Sequence, residues 1–350
     1  MSTVLRPLSR LYGVGAAMRG AAYRRGWLRR RRLNHPVISV GNLTAGGTGK
    51  TPLVRWIVER LQARGFRPAI LTRGYRRQNG PDAIVVPPKP GRAPEPREVG
   101  DEAAWLAREL PAVPIGVSAD RYTTGRLIEE NYPVDVFVLD DGFQHLALGR
   151  DLDVVVLDAT RGISDREVLP AGLQREPCSA LGRADVVVIS RAELADPAPL
   201  EAAVRGVRPG ARLARARTRL ERLGDLASGK ALSVEEWRGR PVHAFCGIGN
   251  PEAFFSDLRR WGFDVVRESV FPDHFAYRNL NFARTSPGGE VAALLTTEKD
   301  LMNLQGLKIS EVGVPVLACV TRLEIDDEVE FDAALFSQLS RSGGEVESRT

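Results

Sequence analysis

The chain has 350 residues, 43% of them hydrophobic and 27% charged, which is ordinary for a globular α/β protein and long enough for two domains. Its three cysteines, Cys178, Cys246 and Cys319, lie far apart and form no C-x-x-C, so neither a disulfide framework nor a cysteine zinc site is indicated, and a reducing cytosolic setting fits. The net charge of +5 is not a distributed nucleic-acid signal: residues 1–35 hold nine arginines and no acid, so residues 36–350 carry a net −4.

Within that first segment Leu5, Leu8, Leu11, Tyr12, Gly15, Met18 and Ala22 recur at helical spacing, with arginines interleaved and then clustered over residues 24–32. The longest uncharged run, residues 11–18, falls well short of the ~20 residues needed to span a bilayer. Arginines on both sides and a strand pattern directly afterwards argue against a cleavable signal peptide. Two readings stay open on these residues alone: an arginine-rich amphipathic helix lying on an anionic membrane surface, or a solvated basic tail that touches RNA.

Residues 35–51, H-P-V-I-S-V-G-N-L-T-A-G-G-T-G-K-T, form the stretch around which the chain is organised. A short β-branched strand at 37–40 leads into Gly46, Gly47, Thr48 and Gly49, then Lys50 and Thr51, then a helical pattern through Leu53, Val54, Ile57, Val58 and Leu61. A glycine turn between strand and helix lets backbone N–H groups wrap a polyphosphate, with Lys50 on the β and γ phosphates and the Thr51 hydroxyl on Mg²⁺. Strict G-x-x-x-x-G-K-[ST] asks for glycine where this chain has Thr44. The motif indicates a nucleotide without saying what becomes of its phosphate.

A second strand is predicted at 67–72 and ends in Arg73-Gly74-Tyr75-Arg76-Arg77, where basic side chains are placed to meet an anion. Residues 78–99 read as a proline- and glycine-rich loop around a short strand at 83–86, delivering Gly100-Asp101-Glu102 to a helix at 103–110. A strand at 113–117 and a helix at 120–130 precede a buried strand at 134–139 that ends in Asp140-Asp141-Gly142-Phe143-Gln144-His145. An aspartate closing an apolar strand downstream of a phosphate loop is the arrangement that holds Mg²⁺, and two adjacent carboxylates need a cation or basic group between them. Strands come next at 153–157 and 184–189, separated by L-P-A-G-L-Q-R-E-P at 169–177, which carries Arg175 and Glu176. This alternation predicts a largely parallel sheet.

A weak strand at 211–216 lies in an arginine-rich stretch that marks the domain boundary. A second α/β unit is then predicted, with strands at 241–248, 264–266, 291–297 and 316–320 and a helix at 251–261. The resulting division is an N-terminal helix at 1–35, a phosphate-loop domain at 36–220, a smaller α/β domain at 221–340 and a disordered tail at 341–350. Of the four histidines, His243 falls inside a strand, His35 ends the basic segment and His145 adjoins the aspartate pair. His274, beside Asp273 in a loop, is the best candidate for acid–base work.

The blocks G-N-L-T-A-G-G-T-G-K-T-P, R-G-Y, G-D-E, V-L-D-D-G-F-Q-H, L-P-A-G…R-E-P, F-C-G-I-G-N-P, F-P-D-H-F-A-Y and T-T-E-K-D occur in the order found in the tetraacyldisaccharide 4′-kinases of lipid A biosynthesis, which residues 36–300 resemble. The resemblance implies a P-loop NTPase-type sheet domain and transfer of the γ-phosphate of ATP to the 4′-hydroxyl of a tetraacyldisaccharide 1-phosphate. It implies Asp101 and His274 as a catalytic pair with one member from each domain, and Asp140 and Asp141 near Mg²⁺ and the phosphates. By the same resemblance Arg121, Gln144, His145, Arg175 and Glu176 line that site, with Thr51, Asp140 and Glu176 as the metal set. Arg73 and Tyr75 join the anion-binding candidates, and the N-terminal helix is where such a protein meets the cytoplasmic face of the inner membrane. Neither a nucleic acid nor an obligate protein partner is called for. The chain departs from the family in having Leu173-Gln174 where the loop usually reads P-L, and Asn303 where a lysine commonly stands after T-T-E-K-D. Rival readings are a membrane-associated partitioning ATPase, whose diagnostic lysine is replaced by Ala45, and a nucleotide-gated scaffold, which needs no Asp–His pair.

Overall fold

The computed structural model describes residues 2–75, 77, 81–89, 94–163, 167–273, 275, 277, 291–304 and 312–344. In chain order the elements are α1 (Ser2–Arg24), β1 (Val37–Asn42), α2 (Lys50–Ala63), β2 (Pro68–Thr72), β3 (Ala83–Val86), α3 (Pro96–Val99), α4 (Asp101–Glu109), β4 (Ile115–Ser118), α5 (Arg121–Asn131), β5 (Val136–Asp140), β6 (Leu152–Asp158), β7 (Val186–Ser190), α6 (Ala198–Val207), β8 (Arg212–Asp225), β9 (Ala231–Leu232), β10 (Pro241–Cys246), α7 (Pro251–Arg260), β11 (Asp264–Val270), β12 (Ala293–Thr297), β13 (Val316–Ile325) and α8 (Glu328–Gly344). They form two compact units, one of residues 1–217 with 325–350 and the other of residues 218–324.

In the first unit the strand order is β8-β7-β6-β1-β5-β2-β4-β3. All pairings are parallel except the antiparallel edge pair β3–β4. Every residue of β1, β2, β5, β6 and β7 is buried, which explains why these strands read as continuous apolar runs and not as alternating ones. Helices cover both faces over separate cores, one around Leu43, Phe143, Leu181 and Val204, the other around Leu33, Ile128, Phe137 and Leu148. β1 lies between β5 and β6, so the phosphate-loop segment, Asp140 and Asp158 all leave the sheet at its carboxyl edge, where ligands of open α/β sheets bind.

The second unit has the order β11-β10-β12-β13-β8, with β9 antiparallel to β8. Its core gathers Leu223, Phe255, Leu258, Leu295 and Leu317.

The weak strand expected at 211–216 is present and runs on as the 14-residue β8, whose buried Ala214, Ala216, Leu220 and Leu223 alternate with exposed arginines. Two expectations are corrected. The region expected as domain 221–340 loses its end to the first unit. There α8 stacks Phe331 edge-on to Trp56 (5.3 Å) and Phe336 on Phe66 (5.9 Å), while Asp332 accepts from Arg60 and Arg64 at 3.2 Å each. Residues 341–344, expected to be disordered, continue that helix, and residues 345–350 lie outside the described residues.

Candidate active site

The turn after β1 is held open from below by side chains aimed at its carbonyls. Gly46 and Gly49 take φ of 103° and 88°, a region closed to most L-residues, and α2 starts immediately afterwards at Lys50. Asn42 donates through Nδ2 to the Thr44 carbonyl (2.6 Å) and to Thr48 Oγ1 (2.9 Å). Ser190 donates to the Thr48 carbonyl (2.8 Å), Arg191 to the Gly47 carbonyl (3.1 Å) and Arg161 to the Ala45 carbonyl (3.4 Å). With several of its carbonyls engaged from behind, the loop is shaped as a cradle for an anion.

Thr44, the residue that breaks the strict motif, pairs as an isolated antiparallel bridge with Gln174, and Ala45 N–H donates to the Leu173 carbonyl at 2.7 Å. The unusual Leu173-Gln174 therefore contacts the phosphate loop through backbone atoms, which most side chains at those positions would permit.

The two aspartates after β5 have opposite surroundings. Asp141 sits at φ 52°, a left-handed conformation that aspartate tolerates better than most residues. Arg175 Nη1 reaches both its oxygens at 2.8 Å and Lys50 Nζ lies 3.4 Å from Oδ1. Burial raises the Asp141 carboxyl, but Lys50 and Arg175 outweigh it and hold the group below its ordinary range. Asp140 is 1% exposed, and among the described residues neither carboxylate oxygen has a hydrogen-bond partner. Burial first, then repulsion from Glu102 and Asp141, pushes it up to about 8. An orphaned buried carboxylate at the mouth of a phosphate loop is a position that a divalent cation would satisfy. Among the described residues no three His, Cys, Asp or Glu side chains converge as a metal cage.

Glu176 is engaged elsewhere: Arg183 meets its two oxygens at 2.9 and 3.1 Å while lying 4.1 Å over the Phe143 ring. A metal contact by Glu176 would have to use the carboxylate lone pairs that Arg183 leaves. Arg121 is buried and donates to the Ala119 carbonyl (3.0 Å), and among the described residues its Nε has no partner. Burial, and then Arg73, pull its guanidinium below the ordinary arginine value, with Asp141 opposing them. Gln144 donates to the Asn42 carbonyl (2.9 Å), and burial with Arg121 and Arg150 nearby lowers His145 to about 4, so its imidazole is neutral at pH 7.

R-G-Y and G-D-E, more than twenty positions apart, come together backbone against backbone. Gly74 and Gly100 both have positive φ, and a Cβ on Gly100 would lie 2.7 Å from the Tyr75 carbonyl oxygen. This contact places Asp101 at the first position of α4 beside Tyr75, whose side chain is exposed. His274 lies outside the described residues.

The N-terminal helix rests on two loops of this site. Arg19 donates to the Gln144 carbonyl (2.5 Å), Ser9 Oγ accepts from Ala171 N–H (2.8 Å) and Arg6 pairs with Glu167 (2.8 Å). Ser9, Gly13 and Gly20 form its buried side, whereas Leu8, Leu11, Tyr12 and Met18 are exposed.

Sequence reasoning missed Ser190, Arg191, Arg161, Arg183 and Asn42. Ser190 and Arg191 come at the end of the buried run 186–190, so the rule that drew attention to Asp140 applied to them as well.

Residues 1–340 match the model of the family described as tetraacyldisaccharide-1-P 4′-kinase, LpxK. The chain belongs to that family. A tetraacyldisaccharide 4′-kinase of Pelobacter propionicus is 39% identical, covering 97% of this chain and 93% of that one. The Geobacter sulfurreducens protein of the same name is 40% identical over 96% and 93%. The fold matches a crystal structure of LpxK from Aquifex aeolicus in complex with ATP, with TM-score 0.78 and 31% identity over 97% of this chain and 99% of that one. Family membership makes the chain a kinase.

Proposed function

We propose that the chain transfers the γ-phosphate of ATP to the 4′-hydroxyl of a tetraacyldisaccharide 1-phosphate at the cytoplasmic face of the inner membrane. The observation that carries this reading is the phosphate loop set against one neutralised and one orphaned aspartate, within a chain of this family. The loop amides and Lys50 bind the β and γ phosphates, and Arg121, with an unpartnered buried Nε, adds a donor for phosphate. Thr51 and Asp140 would hold Mg²⁺, which would supply neutralisation of the phosphate charge when bound. Asp101 takes the proton of the attacking hydroxyl, and His274 is the second member of the acid–base pair. Arg73, Tyr75, Gln144, His145, Arg175 and Glu176 complete the proposed substrate and phosphate contacts.

For membrane contact, the support is the exposed apolar row on α1 beside an arginine cluster with Trp27, itself exposed. Among the described residues no helix is long and apolar enough to cross a membrane, so the proposed attachment is peripheral or monotopic.

The test is turnover of purified Asp101→Ala and His274→Ala variants. Each is expected to lose a factor on the order of 10²–10⁴ in kcat while retaining ATP binding by equilibrium dialysis. Turnover like that of the unaltered protein in both would overturn the assigned roles.

A further inference from the structure

The segment from Asp140 to Asp151, D-D-G-F-Q-H-L-A-L-G-R-D, closes with an arginine whose side chain folds back on the turn at 142–145. The Arg150 side chain is 5% exposed, and its Nη1 donates to the carbonyls of His145 (3.2 Å), Gly142 (3.3 Å) and Phe143 (3.5 Å). Its Nη2 pairs with Asp153 Oδ2 on β6 at 3.0 Å. Arg183 adds a donor to the Phe143 carbonyl at 3.3 Å. The turn is also pressed against the end of β1, directly before the phosphate loop. Gly142 N–H donates to the Val40 carbonyl at 2.9 Å, and a Cβ on Gly41 would lie 2.5 Å from Phe143 Cβ.

Filling space does not call for an arginine at this point. Burial pulls the Arg150 guanidinium below the ordinary arginine value, with Asp153 opposing it. Burying a cation costs stability even when it is paired, and an apolar side chain would occupy the volume at lower cost. It would, however, leave three closely spaced carbonyl dipoles with no cation at their focus. What the arginine adds is therefore the shape of the turn, and that shape directs two side chains. Gln144 Oε1 and His145 Nε2 are buried and, among the described residues, have no hydrogen-bond partner. Other parts of the site have supports of their own: Arg175 and Lys50 hold Asp141, and Asn42, Ser190 and Arg191 hold the phosphate loop.

We infer that Arg150 is a positioning residue for the acceptor: by gathering the carbonyls of the 142–145 turn it fixes the arrangement in which Gln144 Oε1 and His145 Nε2 meet the polar groups of the disaccharide. This rests on the proposed reading of Gln144 and His145 as substrate contacts. Such contacts act through orientation, so loosening the turn lowers transfer to the acceptor and leaves ATP binding intact.

The experiment measures kcat and KM for the tetraacyldisaccharide 1-phosphate, and ATP binding by equilibrium dialysis, in Arg150→Met and Arg150→Lys. Each change is made alone and in a Gln144→Ala/His145→Ala background. Arg150→Met is expected to lower kcat/KM for the acceptor by a factor on the order of 10–10², with ATP binding unchanged. Arg150→Lys keeps a cation but not the planar fork that reaches the carbonyls and Asp153 together, so its expected loss is several-fold, and it carries the test if Arg150→Met fails to fold. Neither change is expected to cause a further loss in the doubly substituted background. An unaltered kcat/KM in either single variant overturns the inference. So does an equal fractional loss in both backgrounds, or a loss of ATP binding in step with turnover, since each marks general structural damage. Unaltered kcat and KM in Gln144→Ala/His145→Ala alone overturns the reading of those two residues as substrate contacts instead.

Discussion

Asp140 and Asp141 are neighbours in the chain, yet one is held ionised by Lys50 and Arg175 and the other is pushed up by burial and repulsion. Nothing in the D-D pair itself distinguishes them. Their difference comes from Arg175, 34 positions away from Asp141, and from the left-handed turn at Asp141. His243 shows the same physics away from the phosphate loop. It is fully buried in β10 with Nε2 2.9 Å from Ser269 Oγ, and burial, then Arg267, lowers it to about 4. Its unfolded pKa is near 6.5, so its neutral form contributes fully above that value, and the contribution is lost as pH falls from about 6.5 to 4. The slope is at most about 1.4 kcal/mol per pH unit for one group. Urea unfolding of His243→Gln between about pH 7 and 4.5 is expected to show a shallower decline than the unaltered chain, with the His145 contribution remaining in both. An identical decline would contradict the assigned shift. The sequence placed His243 in a strand correctly, but the depth of its burial depends on β11 and β12 on either side, which no local pattern reports.

At the scale of elements, β1, α2 and β5 were legible because each is locally self-consistent: a buried run, a glycine turn, then an amphipathic helix. β8 was legible only over its first residues, because further on it alternates arginine with small apolar residues and its pairing depends on neighbours distant in sequence, and α8 shows its affiliation only through Trp56 and Phe66. α1 illustrates how structure narrows an open choice. Arg6, Ser9 and Arg19 anchor it to site loops, while Leu11 at 71% and Met18 at 67% exposure remain outward. If that outward row enters a membrane interface, Leu11→Glu and Met18→Glu each forfeit about 1.5–3 kcal/mol of apolar burial and weaken partitioning by roughly tenfold or more. Co-sedimentation with vesicles of anionic phospholipid checks this, and unchanged binding by both variants would leave the arginines alone responsible for any attachment.

At the scale of the whole molecule, the sequence motifs fall into two groups that match the two units. The phosphate loop, R-G-Y, G-D-E, D-D-G-F-Q-H and R-E-P belong to the first, where parallel strands bring them to one edge of a sheet. G-I-G-N-P, F-P-D-H-F-A-Y and T-T-E-K-D belong to the second, where Asp300 joins them. The order of motifs along the chain was enough to recognise the family. The roles of Ser190, Arg191 and Arg183 were not visible there, because they act on backbone carbonyls and on a carboxylate set by the sheet's strand order. The proposed kinase activity is checked most directly by incubating the purified chain with γ-labelled ATP, Mg²⁺ and the tetraacyldisaccharide 1-phosphate. Label is expected to enter the lipid at the 4′-position, and Lys50→Ala is expected to abolish that transfer. Release of labelled inorganic phosphate with none in the lipid would contradict the assignment.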